Sequence, residues 1–242
     1  MTPAILWLDE CASTNVELDA MPDAPAGTVV AARMQPAGRG QRGASWEAEP
    51  GKNLTFSQLF RPDRLHAARQ FELSMLVSLA IADTVDDLIA HTGLSAKIKW
   101  PNDIYVGDRK ICGILIENKL FGPHIHRSIA GIGLNINQTQ FLSDAPNPIS
   151  VAQIIGHDTA LEPLLERLAG RLVGYVDNYN GAAAALKKIY LSRLYRGDGK
   201  AYTFALPDGT HIEASITDID TDGTLHLSDG KTYAFKEVAY VI

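Results

Sequence analysis

Three stretches of the chain carry side chains suited to chemistry. The first is Gly38-Arg39-Gly40-Gln41-Arg42-Gly43, with Trp46 three residues beyond. Its glycines let backbone N–H groups approach a ligand closely and tolerate positive φ. Its two arginines match carboxylate or phosphate oxygens with a rigid fork. Amides and guanidinium groups on one loop make an anion-binding site. On these residues alone, a glycine-rich surface turn with two solvated arginines is also open. No Gly-Lys-Ser/Thr closes the stretch, so it is not a Walker loop, and its glycine spacing is not the dinucleotide fingerprint.

The second stretch runs from Lys97 to Glu117 and contains Lys99-Trp100-Pro101-Asn102-Asp103 and Asp108-Arg109-Lys110. It reads as a strand, a Pro-Asn-Asp interruption, a strand, a Gly107-Asp108 turn and a third strand. At such an interruption Asn102 and Asp103 can point into a cleft, or simply form an Asx turn. Lys110 opens an otherwise apolar strand, which makes it an exposed strand end or a charge facing an anion. The third stretch is Gly131-Ile132-Gly133-Leu134-Asn135-Ile136-Asn137, where glycine inside a strand marks a bulge or close approach of a ligand or backbone. Ser13, Thr14 and Asn15 follow the first apolar run, and hydroxyls with helix-terminal amides can face a polar ligand there.

The elements that position these residues follow from periodicity. Ile5 to Leu8 reads as a buried strand. Thr14 and Glu17 have capping-box spacing for a helix. Gly27–Ala32 leads as a strand into the glycine-arginine loop, with Gln35 just before it. A turn at 49–52 precedes a strand over 53–60, in which Leu54, Phe56 and Gln58 share a face. Asp63 is placed to cap a helix carrying the stripe Phe71, Met75, Leu79, Ala82, Val85 and Ile89, ended near Gly93. Ile129–Asn137 reads as a strand, and Pro146 and Pro148 as a loop. Thr159-x-x-Glu162 is placed to cap a helix through Leu164, Leu165, Leu168 and Leu172, with Pro163 in its first turn. A further helix spans about 182–194. Beyond Tyr195, Asp-Gly turns at 208, 222 and 229 separate short strands near 202–204, 211–214, 224–227 and 232–235, which suggests a small β-barrel.

Composition narrows the class. Of 242 residues, 46% are hydrophobic, enough for a sizeable core. The net charge of -6 argues against non-specific nucleic-acid binding. Cys11 and Cys112 have no metal-ligand spacing and suggest no disulfide framework, which fits a reducing compartment. There is no signal-peptide pattern and no long apolar run. The expectation is a soluble cytoplasmic protein.

Taken together, the three stretches resemble those of the biotin protein ligases, the biotin–[acetyl-CoA-carboxylase] ligases, over nearly the whole chain. The segment from Lys99-Trp100-Pro101-Asn102-Asp103 through Lys110 to Gly113-Ile114-Leu115-Ile116-Glu117 is the most specific. The resemblance implies an α/β fold: a mixed β-sheet flanked by helices, of the class II synthetase-like biotin/lipoate ligase kind, over 1–194, and a small C-terminal β-barrel over 195–242. It implies a biotin–[biotin carboxyl-carrier protein] ligase reaction. Biotin and MgATP give biotinyl-5′-AMP and pyrophosphate, and the adenylate acylates a lysine on the carrier domain of a carboxylase. No tightly bound prosthetic group is implied. The helix-turn-helix of some members is absent from this sequence, so the expectation is a ligase-only protein that binds neither DNA nor membrane. A homodimer is compatible with the resemblance.

Residue by residue, the resemblance implies Arg39, Lys110 and Asp103 in catalysis. It implies Ser13, Thr14, Asn15, Gln35, Gly38, Arg39, Gly40, Gln41, Lys110, Gly113 and Gly133 around biotin. Around ATP and the adenylate it implies Arg39, Arg42, Trp46, Asn102, Lys110 and Asn135, with Trp46 stacked on adenine. Asp103 is implied either as a Mg²⁺ ligand or as the group that orients or deprotonates the acceptor lysine; the sequence does not separate these roles. Many members carry arginine where this chain has Gln41, so faster release of the adenylate is expected here. Lipoate ligases share the fold but lack the Lys-Trp-Pro-Asn-Asp stretch. A non-catalytic biotin sensor would not need Arg39, Arg42, Asp103 and Lys110 together.

Overall fold

The computed structural model describes residues 3–36, 38, 46–143 and 147–242. Arg39, Gly40, Gln41, Arg42, Gly43 and Pro146 therefore lie outside the described residues. The chain first forms β1 (Ile5–Glu10), α1 (Thr14–Asp19), β2 (Val29–Met34) and β3 (Leu54–Phe60), then the long helix α2 (Phe71–Ile89). β4 (Ala96–Lys99), β5 (Asp103–Val106), β6 (Arg109–Phe121) and β7 (His124–Leu134) follow, and then α3 (Val151–Ile155), α4 (Leu161–Asp177) and α5 (Ala183–Ser192). One seven-stranded sheet runs in the order β1-β2-β3-β7-β6-β5-β4, with β1 and β2 parallel and the other neighbours antiparallel.

Side-chain alternation along the strands separates two apolar layers. Val29, Ala31, Leu54 and Phe56 join the main core with the buried stripe of α2 and with Leu164, Leu165, Leu168 and Leu172 of α4. Val30, Leu59 and Ile129 pack on Leu18 of α1 as a smaller cluster. Gln58 lies in β3 alongside Phe56, and its amide donates to the carbonyls of Gly27 and Ala169. The stripe foreseen for α2 is buried throughout.

Several expected boundaries move for tertiary reasons. β1 is a half-exposed edge strand rather than a buried one, with Leu6 43% exposed. α1 begins after Ser13, which makes no side-chain cap, and the Thr14 hydroxyl is drawn instead to Ser57 of β3. Asp63 does not cap α2. Residues 65–67 instead bond the β6–β7 hairpin, Ile125 N–H to the Leu65 carbonyl and Ala67 N–H to the Pro123 carbonyl, and the helix starts only at Phe71. Thr159 does not cap α4, whose N-cap is Ala160. Its backbone N–H and carbonyl are both taken by the side chain of Asn137. β7 ends at Leu134, so Asn135 and Asn137 lie beyond it.

The C-terminal region folds as two three-stranded sheets. β8 (Tyr202–Ala205), β9 (His211–Ala214) and β13 (Ala239–Tyr240) order as β13-β8-β9, and β10 (Ile216–Ile219), β11 (Leu225–Leu227) and β12 (Thr232–Tyr233) order as β10-β11-β12. No closed barrel is formed among the described residues. β10 and β13 escaped the sequence reading because a single residue, Ser215, parts β9 from β10, and β13 is two residues long. Phe204, Ile219 and Leu225 of these sheets are buried in the same core as α2.

Candidate active site

The α1 face of the sheet carries a cleft of ≈ 480 Å³. Its floor lacks side chains at three points on two neighbouring strands: Gly113 of β6, and Gly131 and Gly133 of β7. Gly113 and Gly133 face each other in register. A Cβ built on Gly131 would lie 2.3 Å from Oδ1 of Asn15, and one on Gly133 would lie 2.3 Å from Cε2 of Trp46. The strand glycines thus make room for two inserted side chains, about 7 Å apart along β7 at the rise of a strand. Trp46 is tethered by its N–H to the Gly38 carbonyl at 3.0 Å, and its indole Nε1 is buried without a hydrogen-bond partner. A buried donor left open in this way is rare unless something completes it.

Beside the indole stands Lys110, whose Nζ lies 5.5 Å from the Trp46 ring centroid and 2.8 Å from Oδ1 of Asp103. Asp103 is the first residue of β5, Lys110 the second of β6, and the tight Gly107-Asp108 turn between these strands keeps the two side chains adjacent. Gly107 has φ +58, a conformation glycine adopts without strain. The peptide between Trp100 and Pro101 is cis. Asn102 braces this corner: its amide donates to the Ile114 carbonyl at 2.7 Å while its own carbonyl accepts from Ile114 N–H.

At the Asn15 side the polar groups are tightly bonded. Thr14 N–H donates to Oε1 of Gln35 at 3.0 Å, and the hydroxyls of Thr14 and Ser57 are 2.7 Å apart. Ser57 donates to Oδ1 of Asn15 at 2.5 Å, and Nδ2 of Asn15 donates to Oε2 of Glu117 at 2.5 Å. Ser13 lines the cleft next to them.

The cleft therefore gathers Ser13, Thr14, Asn15, Gln35, Trp46, Asn102, Asp103, Lys110, Gly113 and Gly133 of the residues singled out from sequence. Gly38 adjoins them through Trp46. Asn135 is not brought to the cleft. It is 3% exposed, and its amide donates to the Ile149 carbonyl, tying the end of β7 to the segment before α3.

A family model described as the biotin/lipoate A/B protein ligase family matches residues 9–135. The chain belongs to this family. It is 35% identical over 116 residues to the bifunctional ligase/repressor BirA of Bacillus spizizenii, across 48% of this chain and 34% of that protein, so it spans about a third of that relative's length. It is 32% identical over 192 residues to the biotin–[acetyl-CoA-carboxylase] ligase of Paracoccus denitrificans, across 76% of this chain and 78% of that one. The solved biotin protein ligase from Aquifex aeolicus in complex with biotin and ATP shares the fold, with a TM-score of 0.79 at 22% identity, across 98% and 97% of the two chains. No helix among the described residues is long and apolar enough to cross a membrane.

The family match covers the strands that form the cleft floor, β6 and β7, but the cleft has a second wall outside it. Phe235, Lys236, Val238, Ala239 and Tyr240 reach it from the C-terminal sheets. Trp100 joins the two parts, its Nε1 donating to the Gly223 carbonyl and its ring meeting Phe235 edge-on at 6.2 Å. Sequence reading gave this wall no role, because its residues are remote in the chain and sit on the turn after β12 and on the two-residue β13. It also passed over Lys99, whose Nζ lies 4.9 Å from the Tyr240 ring and 5.3 Å from the Tyr105 ring. Burial pushes the Lys99 amine below the ordinary lysine range; Asp103 opposes the shift, and Lys110 and Arg196 add to it.

This has a measurable consequence. The unfolded chain keeps the Lys99 proton up to the usual lysine pKa of about 10.4, while the folded protein gives it up earlier. Between the depressed value and that limit the unfolded state binds more protons, so the group's contribution to stability rises as pH rises through this window. NMR of the reductively methylated protein is expected to show one lysine titrating below the rest, and Lys99→Met to remove that signal. A spectrum in which all lysines titrate together would contradict it.

Proposed function

We propose that the protein activates biotin with ATP and transfers it, by way of biotinyl-5′-AMP, to a lysine of a carboxylase's biotin carrier domain. The observation that carries this reading is the pairing in one cleft of a cation, Lys110, beside a glycine-floored slot with a polar Thr14–Gln35 corner. A slot of this kind suits a small ligand that is apolar along its length and polar at its ring and its acid. The Paracoccus denitrificans ligase and the ATP- and biotin-bound Aquifex aeolicus ligase support the choice of substrates.

In the first step a biotin carboxylate oxygen bonds to the α-phosphorus of ATP, and the bond to the β-phosphate oxygen breaks to release pyrophosphate. Two anions meet, so a fixed cation at the junction stabilises the transition state. Lys110 holds that place, oriented by Asp103, with Arg39 and Arg42 as the further cations. Trp46 offers a flat apolar face to adenine and an unpaired N–H donor. In the second step the acceptor lysine's amine attacks the acyl carbon and AMP leaves. Asp103, the cleft carboxylate next to Lys110, is assigned to accept the amine's proton.

Among the described residues no group of three or more His, Cys, Asp or Glu could hold a metal. Asp103 is already bonded to Lys110. That donor set fits Mg²⁺ carried on the nucleotide's phosphates and steadied by one carboxylate, the usual manner of magnesium in nucleotide sites. The ion would neutralise phosphate charge.

The test is pyrophosphate release with MgATP and biotin, with and without a lysine-bearing carrier domain, and with lipoate in parallel. Biotin-dependent release and a mass gain of one biotinyl group on the carrier lysine are expected. Biotin binding without release would make the protein a sensor, and release with lipoate alone would move it to the lipoate branch of the family.

A further inference from the structure

The polar corner contains a chain of hydrogen bonds whose direction is fixed at one end. Glu117 lies at the cleft rim on β6, and an ionised carboxylate only accepts hydrogen bonds. It therefore takes the Asn15 amide by its NH₂, at 2.5 Å, and leaves Oδ1 facing Ser57. The single proton of Ser57 is then spent on that oxygen, at 2.5 Å. The 2.7 Å contact between Ser57 and Thr14 needs a proton, and only Thr14 has one left to give. Its hydroxyl proton consumed, Thr14 Oγ1 can offer the cleft lone pairs alone. Gln35 is set independently: its Oε1 accepts from Thr14 N–H, so its NH₂ remains as donor.

We propose that Glu117 is a positioning residue that sets the direction of the relay Thr14→Ser57→Asn15→Glu117, and so makes Thr14 a pure acceptor that selects ligands bearing a ring N–H at that point. The corner then presents an acceptor and a donor side by side, the complement of the N–H and C=O of a cyclic urea. Gly131 is part of the device, since a Cβ there would strike Asn15. The inference rests on the biotin reading, and it assigns a role to a side chain that does not itself touch the reacting atoms.

Glu117→Gln tests it. An amide at this position can donate as well as accept, so the whole relay can reverse, with Asn15 turned over and Thr14 donating to the cleft. Kd values would be measured calorimetrically, without ATP, for biotin and for an isosteric analogue in which one ring N–H is replaced by oxygen. In wild type the analogue is expected to bind about 10-fold or more weaker, because two acceptors then face each other. In Glu117→Gln the ratio is expected to shrink to about 2-fold. Ser57→Ala, which cuts the relay in the middle, is expected to lower the ratio likewise. A wild-type ratio retained in both variants, with both ligands weakened equally, would overturn the proposal and leave Glu117 a merely structural residue. Wild-type protein that binds neither ligand would overturn the biotin reading, and the proposal with it.

Discussion

Lys110→Ala is expected to lower biotin-dependent pyrophosphate release by about 10²–10³-fold, the loss that follows removal of one preorganised charge-stabilising donor. On the proposed reading the ammonium stands where two anions must meet; it is held 2.8 Å from Asp103. Its effect grows as charge moves in the transition state, so kcat should carry most of the loss and the biotin KM little of it. The fold should survive. The pair is mostly shielded, with side chains 27% and 16% exposed, so the loss of one partner leaves Asp103 without its counter-charge and costs about 1–3 kcal/mol, between an exposed pair and a fully buried one. In a chain of this size that corresponds to a Tm lowered by about 2–12 °C. Lys110→Arg should not restore the rate, because a planar fork cannot reproduce a compact point charge beside the Trp46 face. Steady-state release assays and a thermal melt on the same preparations decide the matter. A variant with unchanged kcat would remove Lys110 from the chemistry.

With Trp46 as the proposed adenine platform, Gly133→Ala is expected to impair ATP binding by dislodging the indole. Its Cβ would stand 2.3 Å from Cε2 and 2.4 Å from Nε1 of Trp46. The strand cannot yield, since β7 is paired on both sides, Gly133 with Thr55 of β3 and with Gly113 of β6. The indole must therefore leave. A displacement of about 1 Å in a positioned group can cost about 10²-fold in rate, and the ATP KM should rise with it. Overpacking of this kind costs about 1–3 kcal/mol of stability. Gly170→Ala in α4 is the control, because a Cβ there meets nothing within 4 Å. Trp46 fluorescence and ATP kinetics should change in Gly133→Ala and stay near wild type in the control. Unchanged ATP kinetics in both would mean that the indole's seat on the glycines has no part in nucleotide binding.

The elements that sequence made legible are those whose signal is carried by their own side chains. The α2 stripe from Phe71 to Ile89 is buried because a 3.6-residue period leaves it no other face to hide. Strand glycines 131 and 133 mark close approach, as glycine in a strand suggests. Capping was less legible, because Thr14 and Thr159 are tied to Ser57 and Asn137, partners far away in the chain that local spacing cannot reveal. The same holds for the second wall of the cleft. Lys99 lies within a recognisable stretch, but its aromatic neighbour Tyr240 comes from a two-residue strand 141 positions later. Glu117 was visible as a motif residue; its function depends on the direction in which three hydroxyl and amide groups share their protons, which no spacing encodes.

The two-part construction of the cleft bears on when the protein becomes competent during its synthesis. Translation delivers the glycine floor and the Lys110–Asp103 pair first, and the residues 235–240 that face them more than a hundred codons afterwards. The last strand of the large sheet closes at Leu134, whereas the other side of the slot, with Phe235 and the Gly223 carbonyl that Trp100 meets, is synthesised much later. The cleft is thus complete only once the C-terminal sheets have been made and have docked against Trp100.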